Sequence, residues 1–271
     1  MFGEVVVIKG GGDLATGVAY RLYRSGFRRL VLTEIAQPTV IRRAVSLAEA
    51  IYRGETTVEG LTARRCPGYG GIAQAWSDSV IPILVDPEAR VVTELRPAVV
   101  VDAIMAKRNV GTSIEDAPIV VALGPGFMAG RDCHAVVETN RGHYLGRVIL
   151  EGEAQPNTGV PGDIGGYGAE RLVRAPREGV IRTIRQIGDS VVQGETLALV
   201  EGEPVVSPLT GVLRGLIRDG LLVRAGKKIG DVDPRAVREH CFTVSDKSLA
   251  VGGGVLEAVL LLLSFERGGN A

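Results

Sequence analysis

The sequence predicts an α/β protein, a parallel-sheet domain with a small all-β module inserted in it. Three observations predict this. A β-type apolar run at the start of the chain feeds a glycine cluster and then a helical pattern. Later apolar runs, Val99–Ala103 and Ile119–Leu123, read as buried parallel strands. The second half repeats itself in the manner of paired β segments.

The first stretch is Val5-Val-Val-Ile-Lys-Gly-Gly-Gly-Asp-Leu-Ala-Thr-Gly17. Gly10, Gly12 and Ala15 stand at the spacing of the G-x-G-x-x-G/A phosphate-binding turn, with Gly11 and Asp13 between them. Gly10 permits the tight turn, Gly12 lets a pyrophosphate approach the backbone, and Ala15 allows close helix–strand packing. The helix N-terminus then offers N–H groups and the positive end of its dipole to an anion. Leu30–Glu34 reads as the next strand. It ends in a carboxylate 34 − 10 = 24 positions on, near the roughly 20 expected of a ribose-binding acid. The domain is therefore read as Rossmann-like, binding NAD(P) or another nucleotide. Arg42 and Arg43 leave NAD and NADP both open, and a solvated helix face is their competing role.

Composition bounds the rest. The 271 residues suffice for one large domain or two ordinary ones. Lys plus Arg and Asp plus Glu both number 31, so no global field attracts nucleic acid. Aromatics at 4% supply no base-stacking surface. The N-terminus shows no export signal, and Val255–Phe265 is too short to span a bilayer. Cys66, Cys133 and Cys241 form no C-x-x-C pair, so a reducing cytoplasm without structural disulfides is expected.

After Glu34, Pro38–Tyr52 carries a helical stripe and Thr56–Ala63 alternates like a strand. Val80–Val85 reads as an edge strand because it contains Pro82. Asp102 ends one buried run and Gly124-Pro-Gly126 follows another. Ligands in open α/β sheets lie beyond the carboxyl ends of strands, so Asp102, Gly124 and Gly126 are expected to line one crevice with Gly10–Ala15. For Asp102 a turn cap is the competing role. Cys133–Thr139 and Tyr144–Leu150 read as a hairpin closed by Asn140-Arg-Gly142. This segment holds His134, Glu138, Arg141 and His143. Strand parity sets His134 and Glu138 on one face and His143 on the other, so no metal site is expected. Glu151–Gly168 reads as a passage between domains. Ser245 or Asp246 caps a helix that should be buried all round, and Gly252-Gly-Gly254 should allow close backbone approach to sheet or ligand.

Pro176, Gly179, Gly188, Val191 and Gly194 recur as Pro208, Gly211, Gly220, Val223 and Gly226, each offset 208 − 176 = 32 residues. The doubled pattern resembles the biotinyl/lipoyl barrel-sandwich (hammerhead) domain. In that family the central turn carries the modified lysine. Here the turn is Glu201-Gly-Glu-Pro204, without lysine, so neither biotin nor lipoate is expected. The expected division is a Rossmann-like domain at 1–168 completed by 234–271, with the β domain at 169–233.

Several blocks together resemble the accessory family of the selenium-dependent molybdenum hydroxylase system, the YqeB-like family, distantly akin to XdhC-type maturation factors. They include KGGGDLATGVAYRL, VVVDAIMAKRN, LGPGFMAGRDCHAVVETNRGH, NTGVPG and SDKSLAVGGGVLEA. The resemblance implies a cytoplasmic factor that matures a molybdenum hydroxylase client, handling its selenium or sulfur ligand. The molybdenum cofactor would then be a transient ligand. Chalcogen transfer needs a thiolate, and Cys133, which follows Arg131, precedes His134 and sits just after the glycine loop, is the first candidate, with Cys241 beside His240 the second. Arg141 would hold a cofactor phosphate and His134 would act as base, with His143 and Asp102 nearby. Two other readings stand: an NAD(P)-binding oxidoreductase or nucleotide sensor, and a docking scaffold for the hydroxylase. Self-association is also expected.

Overall fold

The computed structural model describes residues 2–157, 159, 162 and 164–268. The NTGVPG block falls partly outside them. The chain divides into two compact units. Unit 1 is Met1–Pro38, Leu47–Thr158 and Val244–Ala271, and unit 2 is Thr39–Ser46 and Gly159–Thr243.

Unit 1 begins with β1 (Phe2–Lys9), α1 (Asp13–Arg24) and β2 (Phe27–Glu34), then α2 (Ala50–Arg53), β3 (Glu55–Val58) and β4 (Leu61–Cys66). There follow α3 (Ile72–Ser77), β5 (Ile81–Val85), α4 (Val91–Leu95), β6 (Val99–Asp102) and β7 (Ile119–Leu123). Short strands β8 (Met128–Ala129), β9 (Ala135–Val137), β10 (Val148–Ile149) and β11 (Gly152–Glu153) complete its sheets. The main sheet runs β10-β9-β7-β6-β1-β2-β5-β4-β3. The seven inner strands are parallel, while β10 and β3 run antiparallel at the edges. Runs such as Val99–Asp102 and Ile119–Leu123 are buried throughout because both faces of the sheet are covered.

Unit 2 holds β12 (Leu172–Arg174), β13 (Gly179–Thr183), β14 (Ser190–Val191), β15 (Thr196–Val200), β16 (Glu203–Val206), β17 (Gly211–Leu216), β18 (Leu222–Val223) and β19 (Lys228–Asp233). They form two four-stranded antiparallel sheets, β12-β19-β17-β14 and β16-β15-β13-β18. The repeat is visible in the pairing: β13 bonds to β18 and its counterpart β17 bonds to β14. An apolar core including Ile181, Leu197, Leu213 and Ile229 lies in this unit.

The expected fold class is corrected. The main sheet is mixed, and the β unit is two separate antiparallel sheets, so the architecture is not clearly a Rossmann sheet plus a barrel. Among the described residues only α1 and α5 (Asp246–Gly268) exceed eight residues, and most crossovers lack a full helix. Pro38–Tyr52 is not one helix but two single 3-10 turns, Arg43–Val45 and Leu47–Glu49, leading into α2, since its polar backbone atoms are used elsewhere. The Ile41 carbonyl accepts from the Leu216 N–H, and the Ala48 N–H donates to the Gly11 carbonyl. Strand β5 lies inside the sheet, with Pro82 beside Arg64 of β4. The hairpin is longer than expected: Val137 faces Val148, and residues 138–147 connect them.

Helix α5 starts with Ser245, whose hydroxyl accepts from the Ser248 N–H at 3.1 Å. Its Val251, Val255, Ala258 and Val259 face is buried, whereas Leu260 and Phe265 are exposed. Burial is thus one-sided. Asp246–Glu266, at a mean hydropathy of 2.0, is long and apolar enough by length and composition to cross a membrane. Close approach at Gly252 and Gly254 is to helix α1 and to the 138–147 connection.

Candidate functional site

Because the inner strands are parallel, their carboxyl ends share one edge. Register sets Lys9 beside Thr33 and Asp102, Asp102 beside Ala122, and Leu123 beside Val137. The turns that follow these residues therefore form one rim.

At the end of β1 the chain turns through Gly10, whose φ of 99° favours glycine. A Cβ there would also press on the Ala103 carbonyl. Gly12 caps α1 without a side chain, and the Asp13 carboxylate accepts from the Leu14 N–H at 3.0 Å. Thr16 donates to the Gly12 carbonyl and accepts from the Leu47 N–H at 3.0 Å, which ties the turn down.

Glu34 does not extend as a free ribose acceptor. Its carboxylate accepts from the Gly11 N–H at 3.0 Å and from the Ile35 N–H at 2.9 Å. Burial raises its pKa and those two bonds oppose the rise. It acts as a clamp on the glycine turn.

Beneath the turn lies a buried polar network. The Lys9 ammonium donates to the Thr112 hydroxyl at 3.0 Å and to Asp116 at 2.6 Å. The Thr112 hydroxyl donates to Asp102 at 2.6 Å, and the Ile104 N–H donates to its other oxygen. Asp102 is 1% exposed, and burial raises its pKa. It is buried under the rim and holds the loop after β6.

That loop carries Lys107 to the rim. Gly126 (φ 104°) lets the backbone of Lys107 and Arg108 pass, and any side chain there would collide with it. Gly124 is equally confined, by Ala154 and the Val137 carbonyl. Beyond β9, Glu138 accepts from the Asn140 and Gln155 N–H groups, and Arg141 pairs with Asp246 through two bonds of 2.5 and 3.0 Å. Lys247 stands next, at the start of α5. Its pKa is lowered by burial and then by the charges of Lys107 and Arg141, while Asp13 and Glu138 oppose the shift. Burial lowers that of Lys107 as well. Neither ammonium makes a hydrogen bond or ion pair among the described residues.

The rim continues to β5 and β4, where a cavity of 420 Å³ is lined by Cys66, Tyr69, Asp86, Glu88 and Arg90 among others. The Asp86 N–H donates to the Glu34 carbonyl at 3.0 Å, so cavity and clamp are neighbours.

Other expected residues lie elsewhere. Cys133 and His134 precede β9 at its amino end. His134 is level with Val120, whose N–H donates to its Nδ1 at 3.0 Å. Four residues separate it from the rim at Glu138, roughly 13 Å along a strand. That bond needs a neutral ring, and burial lowers the His134 pKa. Cys133 is fully buried, and burial foremost, with the Asp132 charge adding, pushes its thiol up to about 12. This corrects the expected thiolate, since its environment holds the thiol protonated. We expect Cys133 to resist a thiol reagent at neutral pH in the folded protein and to label once unfolded. Rapid labelling in the native state would contradict this burial. Cys241 lies in unit 2 with its thiol likewise raised by burial. His143 is exposed and edge-on to Tyr144. Arg43 donates to the Leu216 carbonyl and Arg42 to the His240 carbonyl, both within unit 2.

Sequence reasoning missed Lys9, Lys107, Thr112, Asp116 and Lys247. A signal existed for Lys9, a cation closing an otherwise apolar strand. Lys107 and Lys247 are 247 − 107 = 140 residues apart, and nothing local joins them.

No family model matches the sequence. A curated relative described as an uncharacterized protein YqeB, from Escherichia coli strain K12, is 50% identical over 260 residues. The match covers 96% of this chain and 48% of the relative, so the chain spans about half the length of the curated relative it matches. Solved structures that align include a succinylglutamate desuccinylase from Silicibacter sp. TM1040 (14% identity, TM-score 0.25, 85% of this chain and 84% of that one). An aspartoacylase family protein from Mesorhizobium loti aligns at 8% identity and TM-score 0.26, over 85% of each chain. Superpositions this loose carry no functional argument. The comparisons do correct the expected function. The relative's description names no molybdenum or selenium role. Neither of the two solved structures is described as an XdhC-type factor. The maturation reading and its two alternatives are withdrawn.

Proposed function

We propose that unit 1 binds a phosphate-bearing small molecule, nucleotides included, at the carboxyl rim of its parallel strands. One observation carries the reading: two lysines, Lys107 and Lys247, the second near enough to feel the charges of the first and of Asp13 at the start of α1, make no hydrogen bond or ion pair among the described residues. An ammonium whose pKa is lowered by burial and by a second ammonium nearby is relieved by an anion. The glycine turn would supply backbone N–H groups and the helix dipole to the same charge. The organic part would extend toward the cavity at β4 and β5. Strands lie about 4.8 Å apart, so β1 to β4 is roughly 14 Å, a span suited to a nucleotide. Glu34, committed to the turn, would keep it rigid.

Calorimetric titration of the whole chain with pyrophosphate, ADP and NAD tests this. We expect binding by at least one, weakened at least about tenfold in Lys107→Ala and in Lys247→Ala, the loss of one charge-assisted bond each. The pH response has a definite sign. The Lys247 pKa in the free protein lies below its ordinary value and an anion raises it, so binding takes up protons. Affinity therefore falls as pH rises through the lowered pKa, and the measured heat varies with the buffer's ionisation enthalpy. No binding at millimolar ligand, or affinities unchanged in both variants, would refute the reading.

A further inference from the structure

Unit 2 contains a buried arginine with no hydrogen bond among the described residues. Along β17 and β19, Leu213 faces Val232 but Gly215 faces Asp231, so Arg214 is the extra residue of a β-bulge. Bulges re-aim side chains and recur beside functional sites. Arg214 is 5% exposed, its Nε has no partner, and its one ion-pair contact, Asp233, is 3.7 Å away. Asp233 is already engaged: Arg235 reaches both its oxygens, at 2.9 and 2.6 Å. The other nearby carboxylate, Asp231, is taken by Arg171, whose own Nε is buried without a partner. Burial, and then the charge of Arg42, lower the Arg214 pKa.

Among the described residues Arg171, Arg214 and Arg235 thus share two carboxylates, and the charge of Arg42 acts on Arg214. A guanidinium has five donors in a planar fork that matches an oxyanion. Water could accept from the orphaned Nε atoms but could not neutralise Arg214, whose contact to the shared Asp233 is long. A buried group left unmatched in a folded protein points to an acceptor such as an ion. We infer that this cluster is a binding site for a small oxyanion of the phosphate or sulfate class, with Arg214 and Arg171 its donors. The burial of both arginines selects a free ion over a phosphorylated macromolecule. This site shares no residue with the rim of unit 1 and does not depend on it.

The test uses the whole chain carrying Lys247→Ala, which weakens any contribution of the rim, and the Arg214 variants are made in that same background. Thermal unfolding is followed as sodium chloride is replaced by sodium phosphate, and separately by sodium sulfate, at constant ionic strength. We expect a saturable rise in melting temperature with at least one of them, abolished by Arg214→Met. In chloride alone, Arg214→Met should be as stable as its parent or more so, because it removes a buried, poorly paired charge. A purely structural ion pair would give the opposite result, a destabilised variant and no oxyanion response in either protein. If Arg214→Met does not fold, Arg214→Lys should shift half-saturation at least tenfold. No saturable effect in the parent, or the same effect in the Arg214 variants, would overturn the assignment.

Discussion

Replacing Lys9 with Met is expected to destabilise the protein by about 3–5 kcal/mol, the loss that follows when one partner of a buried ion pair is removed. Lys9 is 6% exposed and connects two carboxylates, Asp116 directly and Asp102 through the Thr112 hydroxyl. Methionine fills similar space but leaves both carboxylates without a cation. The loss should depend on pH in a definite direction. The folded pKa of Asp102 already lies above its ordinary value, because burial outweighs its hydrogen bonds. Without Lys9 it rises further, so the folded variant binds a proton more tightly than its unfolded chain does. That favourable contribution is fully present below the unfolded pKa of Asp102 and is lost as pH rises through the folded one. Urea unfolding at pH 5 and pH 8 should therefore show the larger deficit at pH 8. Adding Asp102→Asn should recover part of it, since the charge that lost its cation is gone. A deficit under about 1 kcal/mol, equal at both pH values, would mean that the network is solvated rather than buried.

What the sequence disclosed follows from how local each determinant is. The glycine turn was legible because Gly10 needs a backbone conformation that few residues accept. Strands β6 and β7 were legible because both faces of a parallel strand must be apolar. The 32-residue repeat located the strands of unit 2, since each copy repeats the same turns. The 38–52 segment failed because a helical stripe says nothing of where carbonyls go, and Ile41 gives its carbonyl to Leu216. Cys133 and His134 were misassigned for a directional reason. Strand β9 runs parallel to β7, which sends its start away from the rim and only its end toward it. Arg214 escaped notice because a bulge depends on register between strands. The edge strands that make the sheet mixed are too short, at two to four residues, to state their direction in sequence.

Two neighbouring glycines in α5 should respond to alanine with opposite signs. Alanine normally gains about 0.5–1 kcal/mol over glycine inside a helix, by restricting the unfolded chain. At Gly253 nothing lies within 4 Å of an added Cβ, so Gly253→Ala should show that gain. At Gly252 the Cβ would come closer than 3.0 Å to the carbonyl of Gly17 in α1, a backbone atom that no rotamer change can move. Gly17 faces Ser248 with the same lack of space, so the two helices cross almost backbone to backbone. Gly252→Ala must push them apart at this backbone-to-backbone contact. Overpacking of this kind costs about 1–3 kcal/mol, occasionally more, enough to cancel the helical gain and reverse the sign. Denaturant midpoints of the two variants decide the point. The consequence extends to the rim, because Gly252 lies little more than one turn beyond Lys247, and the helix it presses on begins at the glycine turn. Gly252→Ala should therefore weaken phosphate-ligand affinity as well as stability, while Gly253→Ala leaves affinity unchanged. Equal midpoints would place α1 and α5 farther apart than the structure has them, and would separate Lys247 from the turn it is proposed to serve.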